Sequence, residues 1–354
     1  MSYQVLARKW RPAQFSDVVG QAHVISALSN ALDQNRVHHA FLFTGTRGVG
    51  KTTLARIFAK ALNCEQGVSS TPCGECAACQ AVAEGRFIDL IEVDAASRTK
   101  VDDTRELLEN VQYAPTQGRY KVYLIDEVHM LSAHSFNALL KTLEEPPEHV
   151  KFLLATTDPQ KLPMTVLSRC IQFSLNAIEP QAIEEQLAKI LRSESIEFEQ
   201  GALGLLSRAA NGSLRDALSL LDQAIAYSNR DLTESSVREM LGLVDGQTVV
   251  AILDALAANE SQALMKCAER LVHAAQDLKT ALDDLLSYLH TLALHQYAPE
   301  ATEWKGLPEE QLQRLSPLFS PETLQLYYQI AQHGKRDFPL APDPRTGFEM
   351  VLLR

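Results

Sequence analysis

Short apolar runs alternate with amphipathic helical patterns over the first half of the chain. The apolar runs are rich in β-branched and aromatic residues, which is typical of strands that are covered on both faces. They lie at residues 40–44, 87–93, 120–125, 151–156 and 171–175. Helical patterns separate them, for example at 101–112 and 135–143. This alternation predicts an α/β domain with a doubly wound parallel sheet over residues 1–178.

The rest of the chain carries helical patterns. A small helical segment is predicted at 179–242, and turn residues interrupt it at Asn211, Gly212 and Ser213. From residue 243 to residue 354, breaks at Asn and Pro residues predict about five helices and no strands. The apolar helical pattern at 347–354 has no stop signal, which predicts that a longer natural protein has been trimmed.

Composition narrows the class of protein. The 354 residues are 46% hydrophobic and 22% charged, which excludes a disordered, collagen-like or coiled-coil chain. No apolar run approaches the roughly 18 residues of a membrane helix, and no signal peptide is visible, so we expect a cytoplasmic protein without a membrane partner. The net charge of −11 argues against a chain coated in nucleic acid, although it allows a local basic strip.

A glycine-rich motif follows the first apolar run and matches G-x-x-x-x-G-K-[ST] in full. It reads Gly45-Thr46-Arg47-Gly48-Val49-Gly50-Lys51-Thr52. Its backbone N–H groups can wrap phosphates, Lys51 can reach the β- and γ-phosphates, and Thr52 can offer its hydroxyl to Mg²⁺. A chance glycine turn is the alternative, but the strand before it and the helical pattern at 53–62 supply the context that ATP binding needs.

The run at 120–125 ends in two adjacent carboxylates. Asp126 is placed to hold Mg²⁺, directly or through water, and Glu127 is placed to polarise an attacking water. In isolation, two solvated loop acids would be the simpler interpretation. Together with the phosphate loop, the pair predicts hydrolysis of ATP and not binding alone.

Four of the six cysteines lie within sixteen residues, at Cys64, Cys73, Cys76 and Cys79. Four thiolates at such spacing suit a tetrahedral Zn²⁺ with a structural role, because no coordination position stays open. An iron–sulfur cluster is the main rival. Cys170 and Cys267 stand apart in apolar settings and are interpreted as buried small hydrophobes.

These residues carry a family resemblance. The chain resembles AAA+ ATPases and, more narrowly, the tau/gamma motor subunits of the bacterial DNA polymerase III clamp loader. The delta-prime type of subunit shares that fold but has a degraded phosphate loop, whereas the loop of this chain is whole. Besides the phosphate loop, the acidic pair and the cysteines, the specific segments are residues 7–12, 17–21, 139–147, 155–159, 168–170 and 212–216.

The resemblance implies further roles in ATP binding and hydrolysis. Thr157 matches sensor 1, which detects the γ-phosphate, and Arg215 matches sensor 2, which binds the phosphates of its own subunit. Arg169 matches an arginine finger that acts on ATP held by the neighbouring subunit. The segment that packs on adenine and ribose is matched by Arg11, Val18 and Val19, and Thr53 continues the phosphate loop.

The resemblance also implies an architecture and a task. The architecture is an AAA+ domain with a zinc insertion, a helical lid that carries sensor 2, and an all-helical collar that joins subunits. The partners would be other clamp-loader subunits in a hetero-oligomeric ring, expected to be a pentamer, together with the sliding clamp and primer–template DNA. ATP binding would close the ring and hold the clamp open, and DNA would trigger hydrolysis and release.

Basic residues after the second apolar run are candidates for DNA contact. Arg98, Lys100 and Arg105 surround a predicted helix start, where DNA phosphate could bind without reading base sequence. A solvated basic loop is the alternative. Lys141 could relay DNA binding to Glu127, although a solvated lysine explains its position equally well.

Two rival functions are compatible with parts of the pattern. A Holliday-junction helicase motor shares the AAA+ fold, but its third domain should be a winged helix with a β-hairpin. A scaffold that binds ATP without hydrolysis would not need Glu127 or Arg169.

Overall fold

The computed structural model describes residues 5–97, 110–228, 231–242, 246–273, 278–299, 307 and 309–354. These residues belong to two compact units, one that ends at Thr233 and one that spans Glu234–Arg354. Each unit has its own packed interior.

A sheet of five parallel strands forms the centre of the first unit, in the order β2-β3-β4-β1-β5. The strands are β1 (Ala40–Thr44), β2 (Leu90–Asp94), β3 (Lys121–Asp126), β4 (Val150–Thr156) and β5 (Ile171–Ser174). Every residue of β1 and β4 is buried, because helices cover both faces of the sheet. The doubly wound α/β fold expected from the alternating pattern is therefore confirmed.

Helices pack on the two faces of this sheet and continue beyond it. They are α1 (Leu6–Lys9), α2 (Ala22–Asp33), α3 (Lys51–Asn63), α4 (Ala77–Glu84), α5 (Ala133–Glu144), α6 (Met164–Leu167), α7 (Pro180–Ser193), α8 (Gln200–Ala209) and α9 (Leu214–Tyr227). Along β1, Phe41 and Phe43 face the core shared with α2 and α3, whereas Ala40 and Leu42 face the core shared with α5. This two-residue period is the ordinary alternation of a strand.

The second strand begins later than the sequence predicts. Strand β2 starts at Leu90, not at residue 87, because a turn precedes it. In that turn the buried carboxylate of Asp89 accepts hydrogen bonds of 2.7 Å from the backbone N–H groups of Thr116, Gln117 and Gly118. The Asp89 side chain thereby holds the loop at 116–118 beside the start of β2, while its backbone carbonyl accepts a hydrogen bond of 2.8 Å from the Val122 N–H of β3.

Two further segments of the first unit compare with the sequence predictions in different ways. The predicted helix 101–112 lies outside the described residues except for Asn110–Gln112, which forms a 3₁₀ turn. The segment 179–242 is mainly helical, as predicted, and it also contains two short strands, β6 (Glu197–Phe198) and β7 (Asp231–Leu232), which pair in parallel. Strands of two residues are too short to produce an alternating pattern.

The second unit is built of helices around one apolar core. They are α10 (Glu234–Met240), α11 (Gly246–Ala257), α12 (Ser261–His273), α13 (Leu278–Tyr297), α14 (Glu309–Leu315), α15 (Pro321–Asp337) and α16 (Pro344–Leu353). In the described part of this unit, six helices follow residue 243 where about five were expected, and no strand is present. Nor is any helix in the described ranges long and apolar enough to cross a membrane.

Candidate nucleotide-binding site

The phosphate loop connects the end of β1 to the start of α3 at the carboxyl edge of the sheet. Its glycines adopt left-handed backbone angles, with φ of +79° at Gly48 and +104° at Gly50, the N-cap of α3. At Gly48, a Cβ atom would also lie 1.9 Å from Ser213 Oγ. Only glycine allows this close approach between the loop and the segment that carries Ser213.

Lys51 is the first residue of α3 and is almost fully buried. Its Nζ donates hydrogen bonds of 2.8 Å to the carbonyl oxygens of Gly45 and Thr46. Burial lowers the pKa of Lys51, and the nearby charges of Glu127 and Asp126 oppose that shift. The ammonium group thus lies inside the loop with acceptors that phosphate oxygens could replace.

Thr52 and Asp126 come together from α3 and β3. The Thr52 hydroxyl donates a hydrogen bond of 2.7 Å to Asp126 Oδ2. A hydroxyl and a carboxylate oxygen are the ligand types that Mg²⁺ takes in proteins, so this pair fits the expected magnesium site.

Glu127 follows β3 in a left-handed conformation, with φ and ψ both 47°. Its Oε2 accepts hydrogen bonds from the backbone N–H and the hydroxyl of Thr157, at 3.0 and 2.9 Å. His129 Nδ1 lies 3.4 Å from the same oxygen and 2.8 Å from Thr156 Oγ1. A non-glycine residue is strained at this φ, and such strain is common where a side chain must be aimed at a reacting group.

Arg215 stands at the beginning of α9, directly beside the phosphate loop. A Cβ atom placed on Gly48 would lie 3.3 Å from Arg215 Cβ. The preceding Ser213 caps the helix, since its Oγ accepts a hydrogen bond of 3.2 Å from the Asp216 N–H. The turn at Gly212 and Ser213 therefore brings the expected sensor 2 residue to the loop.

The N-terminal segment also reaches α3. Arg11 Nε donates a long hydrogen bond of 3.4 Å to Thr53 Oγ1. Burial, followed by the charge of Arg56, lowers the pKa of Arg11. Val18 packs on the core beside α2 and α3, and Val19 is half-buried next to it. In the phosphate loop, Val49 is buried while Thr46 and Arg47 are exposed.

Arg169 does not join this cluster on its own chain. Its guanidinium donates hydrogen bonds to Thr165 O at 2.8 Å, to Ser168 Oγ at 3.5 Å and to Glu144 Oε1 at 2.9 Å. One third of the side chain is exposed, with a relative accessibility of 32%. A residue expected to act on a neighbouring subunit should be accessible in this way.

The four clustered cysteines converge after α3. All four Sγ atoms lie within 4.8 Å of one another, with 3.6 Å between Cys64 and Cys73 and 3.9 Å between Cys73 and Cys79. A tetrahedral zinc site with Zn–S bonds near 2.3 Å places sulfurs about 3.8 Å apart. The cysteines are free, and these separations are far longer than a disulfide bond. The donor set and its spacing fit zinc.

Backbone groups support this cysteine cluster. The N–H groups of Cys73, Cys76 and Cys79 each donate to the sulfur of the preceding cysteine of the set, at 3.4 to 3.5 Å. Burial raises the pKa of the Cys79 thiol, so a bound cation would be needed to keep it as a thiolate near neutral pH. Arg119 Nη1 donates to the Cys64 carbonyl at 2.7 Å and anchors the insertion to the sheet domain.

Several predicted residues lie elsewhere. Arg98, Lys100 and Arg105 fall outside the described residues. Lys141 is exposed on α5. Cys170 is half-buried, with its thiol pKa raised to about 11 by burial, and Cys267 is buried in the second unit.

The structure adds two residues that the sequence motifs did not single out. The 3₁₀ turn Val128–Met130 directs the His129 ring back towards the carboxylate of Glu127, two positions earlier in the chain. Glu144 meets Arg169 although 25 positions separate them. A histidine beside the acidic pair was visible in the sequence, but only the fold reveals the second contact.

Known protein families cover nearly the whole chain. Residues 20–179 match the model described as DNA polymerase III, delta subunit. Residues 182–230 match the ATPase lid domain of the DNA polymerase III clamp loader subunit, and 232–354 match domain III of DNA polymerase III subunits gamma and tau.

Individual relatives agree with these families. The chain is 58% identical over its full length to DNA polymerase III subunit tau/gamma of Haemophilus influenzae and covers 51% of that protein. It is 55% identical over its full length to subunit tau of Escherichia coli and covers 55% of it. It thus spans about half the length of these relatives. Subunit gamma of Buchnera aphidicola subsp. Baizongia pistaciae is 45% identical, and the chain covers 97% of it.

The fold has solved counterparts. The Thermotoga maritima protein titled RuvB Holliday junction branch migration motor superposes with a TM-score of 0.50 at 21% identity, over 71% of this chain and 85% of that one. At such low identity the likeness concerns the AAA+ fold alone. The family matches and the relatives go further: the chain belongs to the tau/gamma subunit family of bacterial DNA polymerase III.

Proposed function

We propose that this chain is the ATP-hydrolysing motor part of a DNA polymerase III clamp loader, which opens the sliding clamp and loads it onto primed DNA in the cytoplasm. The observation that carries the proposal is the convergence of a phosphate loop, a Thr52–Asp126 pair and a restrained Glu127 at one edge of the sheet. Family membership supplies the larger assembly.

ATP would bind with its phosphates inside the loop. Lys51 would exchange its two carbonyl acceptors for β- and γ-phosphate oxygens. Arg215 would add a second cation from α9, and the nucleoside would lie against Arg11, Val18, Val19 and Thr53. These residues surround the loop from the N-terminal segment and from the segment after residue 178.

Hydrolysis would use the carboxylates that end β3. Thr52 and Asp126 would hold Mg²⁺, which neutralises charge on the phosphates when bound. Glu127 would take a proton from the attacking water, and Thr157 would contact the γ-phosphate. Thr157 donates two hydrogen bonds to Glu127, which supports a link between γ-phosphate contact and activation of the water.

A neighbouring subunit would complete the site. Arg169 would reach ATP held next to it in a hetero-oligomeric ring, expected to be a pentamer, and neutralise charge on the transferred phosphoryl group. Its exposure, and its hydrogen bonds to Thr165 and Glu144 instead of to the phosphate loop, support this role. We assign residues 1–178 to the ATPase domain, 179–242 to the lid and 243–354 to the collar.

The zinc module and the DNA contacts belong to the same proposal. Cys64, Cys73, Cys76 and Cys79 would hold one structural Zn²⁺, as their spacing supports. Arg98, Lys100 and Arg105 would contact the backbone of primer–template DNA, and Lys141 would relay that contact towards Glu127.

The two rival functions are less well supported. A non-hydrolysing scaffold would not need a strained Glu127 held by two hydrogen bonds. A branch migration motor should carry a winged helix with a β-hairpin, and the described part of 234–354 has helices only.

Steady-state ATP hydrolysis by the assembled clamp loader tests the proposal. We expect turnover to rise when clamp and primed DNA are both added, and to rise less with unprimed DNA or with clamp alone. Stimulation by a four-way DNA junction in place of clamp and primed DNA would favour the branch migration motor. Bound ATP without turnover under all conditions would favour the scaffold.

A further inference from the structure

The contact between Arg169 and Glu144 joins two separate elements of the ATPase domain. Arg169 lies after the short helix α6, and Glu144 is the last residue of α5. Among the residues that the structure describes, Glu144 supplies the one side-chain contact of this guanidinium outside its own turn, at 2.9 Å. The other two acceptors, Thr165 O and Ser168 Oγ, belong to α6 and its C-cap.

The position of Glu144 is fixed and electrostatically unusual. Pro146 and Pro147 cannot continue the helix, so α5 ends at Glu144, the residue that accepts the hydrogen bond from Arg169. A carboxylate at a helix C-terminus is disfavoured by the helix dipole, which prefers cations there. Glu144 therefore occupies a place that helix stability alone would not select.

The pairing leaves part of the guanidinium available. An arginine has five N–H donors. Nη1 donates to Thr165 and Ser168, and Nη2 donates to Glu144. Nε donates none of these three bonds, so its N–H and the second N–H of the neighbouring Nη2 remain for a ligand. Neighbouring N–H groups of this kind bind phosphate oxygens in a bidentate manner.

From this geometry we infer that Glu144 is a positioning residue that holds the Arg169 guanidinium in the orientation in which its free edge meets the phosphates of a neighbouring subunit. The inference rests on the proposed role of Arg169. A long arginine side chain loses much rotamer freedom when it engages a ligand, and a side chain already restrained by Glu144 loses less. Glu144 keeps its bond while the other edge acts, so it assists turnover and does not hold the finger inactive.

Kinetics of the complete clamp loader with clamp and primed DNA test this role. Glu144→Ala is expected to lower kcat about three- to tenfold, a loss of about 0.7–1.4 kcal/mol of transition-state stabilisation, with KM for ATP unchanged. Glu144→Gln should fall between this variant and the parent, because its amide oxygen can still accept a bond from Arg169. The matched control is Glu145→Gln, which neutralises the adjacent exposed acid and should leave kcat unchanged.

A double variant separates positioning from a general structural effect. In an Arg169→Ala background, Glu144→Ala should cause no further loss, because the group that it positions is gone. An unchanged or higher kcat for Glu144→Ala, or an equal loss in both backgrounds, would overturn the inference. If Arg169→Ala itself left turnover intact, the finger role and this inference would fall together. If Arg169→Ala lowered turnover but Glu144→Ala did not, Arg169 would keep its proposed role and only the role of Glu144 would be excluded.

Discussion

Glu127 Oε2 accepts hydrogen bonds from both the backbone N–H and the side-chain hydroxyl of Thr157, at 3.0 and 2.9 Å. A threonine hydroxyl has one proton to donate. If Thr157 donates that proton to a γ-phosphate, as proposed, it can no longer donate it to Glu127. Arrival of ATP would therefore loosen one of the two bonds that restrain the expected base.

Thr157→Val tests this shared hydroxyl. The backbone N–H of residue 157 can still donate to Glu127. Without the hydroxyl, however, the side chain can donate a hydrogen bond neither to Glu127 nor to a γ-phosphate. Because hydrogen bonds to charged groups contribute about 1.5–3 kcal/mol, we expect kcat for ATP to fall about ten- to hundredfold, with a smaller effect on ATP affinity. Thr157→Ser is the control and should stay close to the parent. Full activity of Thr157→Val would remove the hydroxyl from the mechanism.

Glu127→Gln separates binding from turnover. The amide keeps the size of the side chain but cannot take a proton from water. We therefore expect ATP to bind with nearly unchanged affinity while steady-state hydrolysis is largely lost. Equilibrium binding of ATP and phosphate release measured on the same preparation check both halves. An unaltered hydrolysis rate would exclude Glu127 as the base.

Cys76→Ser tests the metal site. Cys76 contributes one of four converging sulfurs and also caps α4, where its Sγ accepts the Cys79 N–H. We expect the parent to contain one zinc per chain, and the variant to lose it and to unfold at a lower temperature. Cys170→Ala, which changes a cysteine outside the cluster, should retain the metal. Elemental analysis that finds iron, or no metal, in the parent would contradict the assignment.

Stability of the first unit should depend on the protonation of His39. Burial, followed by the charges of His38 and Lys151, lowers the pKa of His39 from its ordinary value of 6.5. Between the folded and the ordinary pKa, the unfolded chain binds more protons than the folded one. The free energy of unfolding therefore falls as pH drops below 6.5.

His39→Gln removes this titration. Its unfolding free energy, measured by denaturant titration, should vary less between about pH 6.5 and 5 than that of the parent. His134→Gln, which makes the same substitution at an exposed position, is the matched control. Identical pH profiles for the parent and His39→Gln would show that His39 does not contribute.

Motif spacing predicts which side chains lie together around the phosphate loop. The strand, loop and helix around Lys51 follow from the spacing of the phosphate-loop motif. Parallel strands end at the same edge of a sheet, so Asp126 was expected near the loop. Side-chain contacts outside these motifs did not follow, because they depend on how elements pack. The pairing of Glu144 with Arg169 is of this kind.

Small deviations in the fold have similar causes. The turn before β2 brings Asp89 to amides 27 to 29 positions later, and no periodicity of its own segment indicates that contact. The paired strands β6 and β7 contain two residues each, below the length at which alternation can be recognised.

If two subunits share each hydrolytic site, as proposed, mixing of variant subunits will show it. Arg169→Ala should leave ATP binding intact, because Lys51 and the phosphate loop are unchanged. Hydrolysis by a pure assembly of this variant should fall steeply, since arginine fingers contribute up to about 10³–10⁵ in rate. A pure assembly of Glu127→Gln should also be nearly inactive.

When the two variants are mixed, some interfaces combine an intact Arg169 from one subunit with an intact Glu127 from its neighbour. The measurement is the ATP hydrolysis rate of the mixed assemblies with clamp and primed DNA, with subunit exchange verified by labelled chains. We expect ATP hydrolysis to return on mixing. Verified exchange without any recovery of hydrolysis would contradict the shared site.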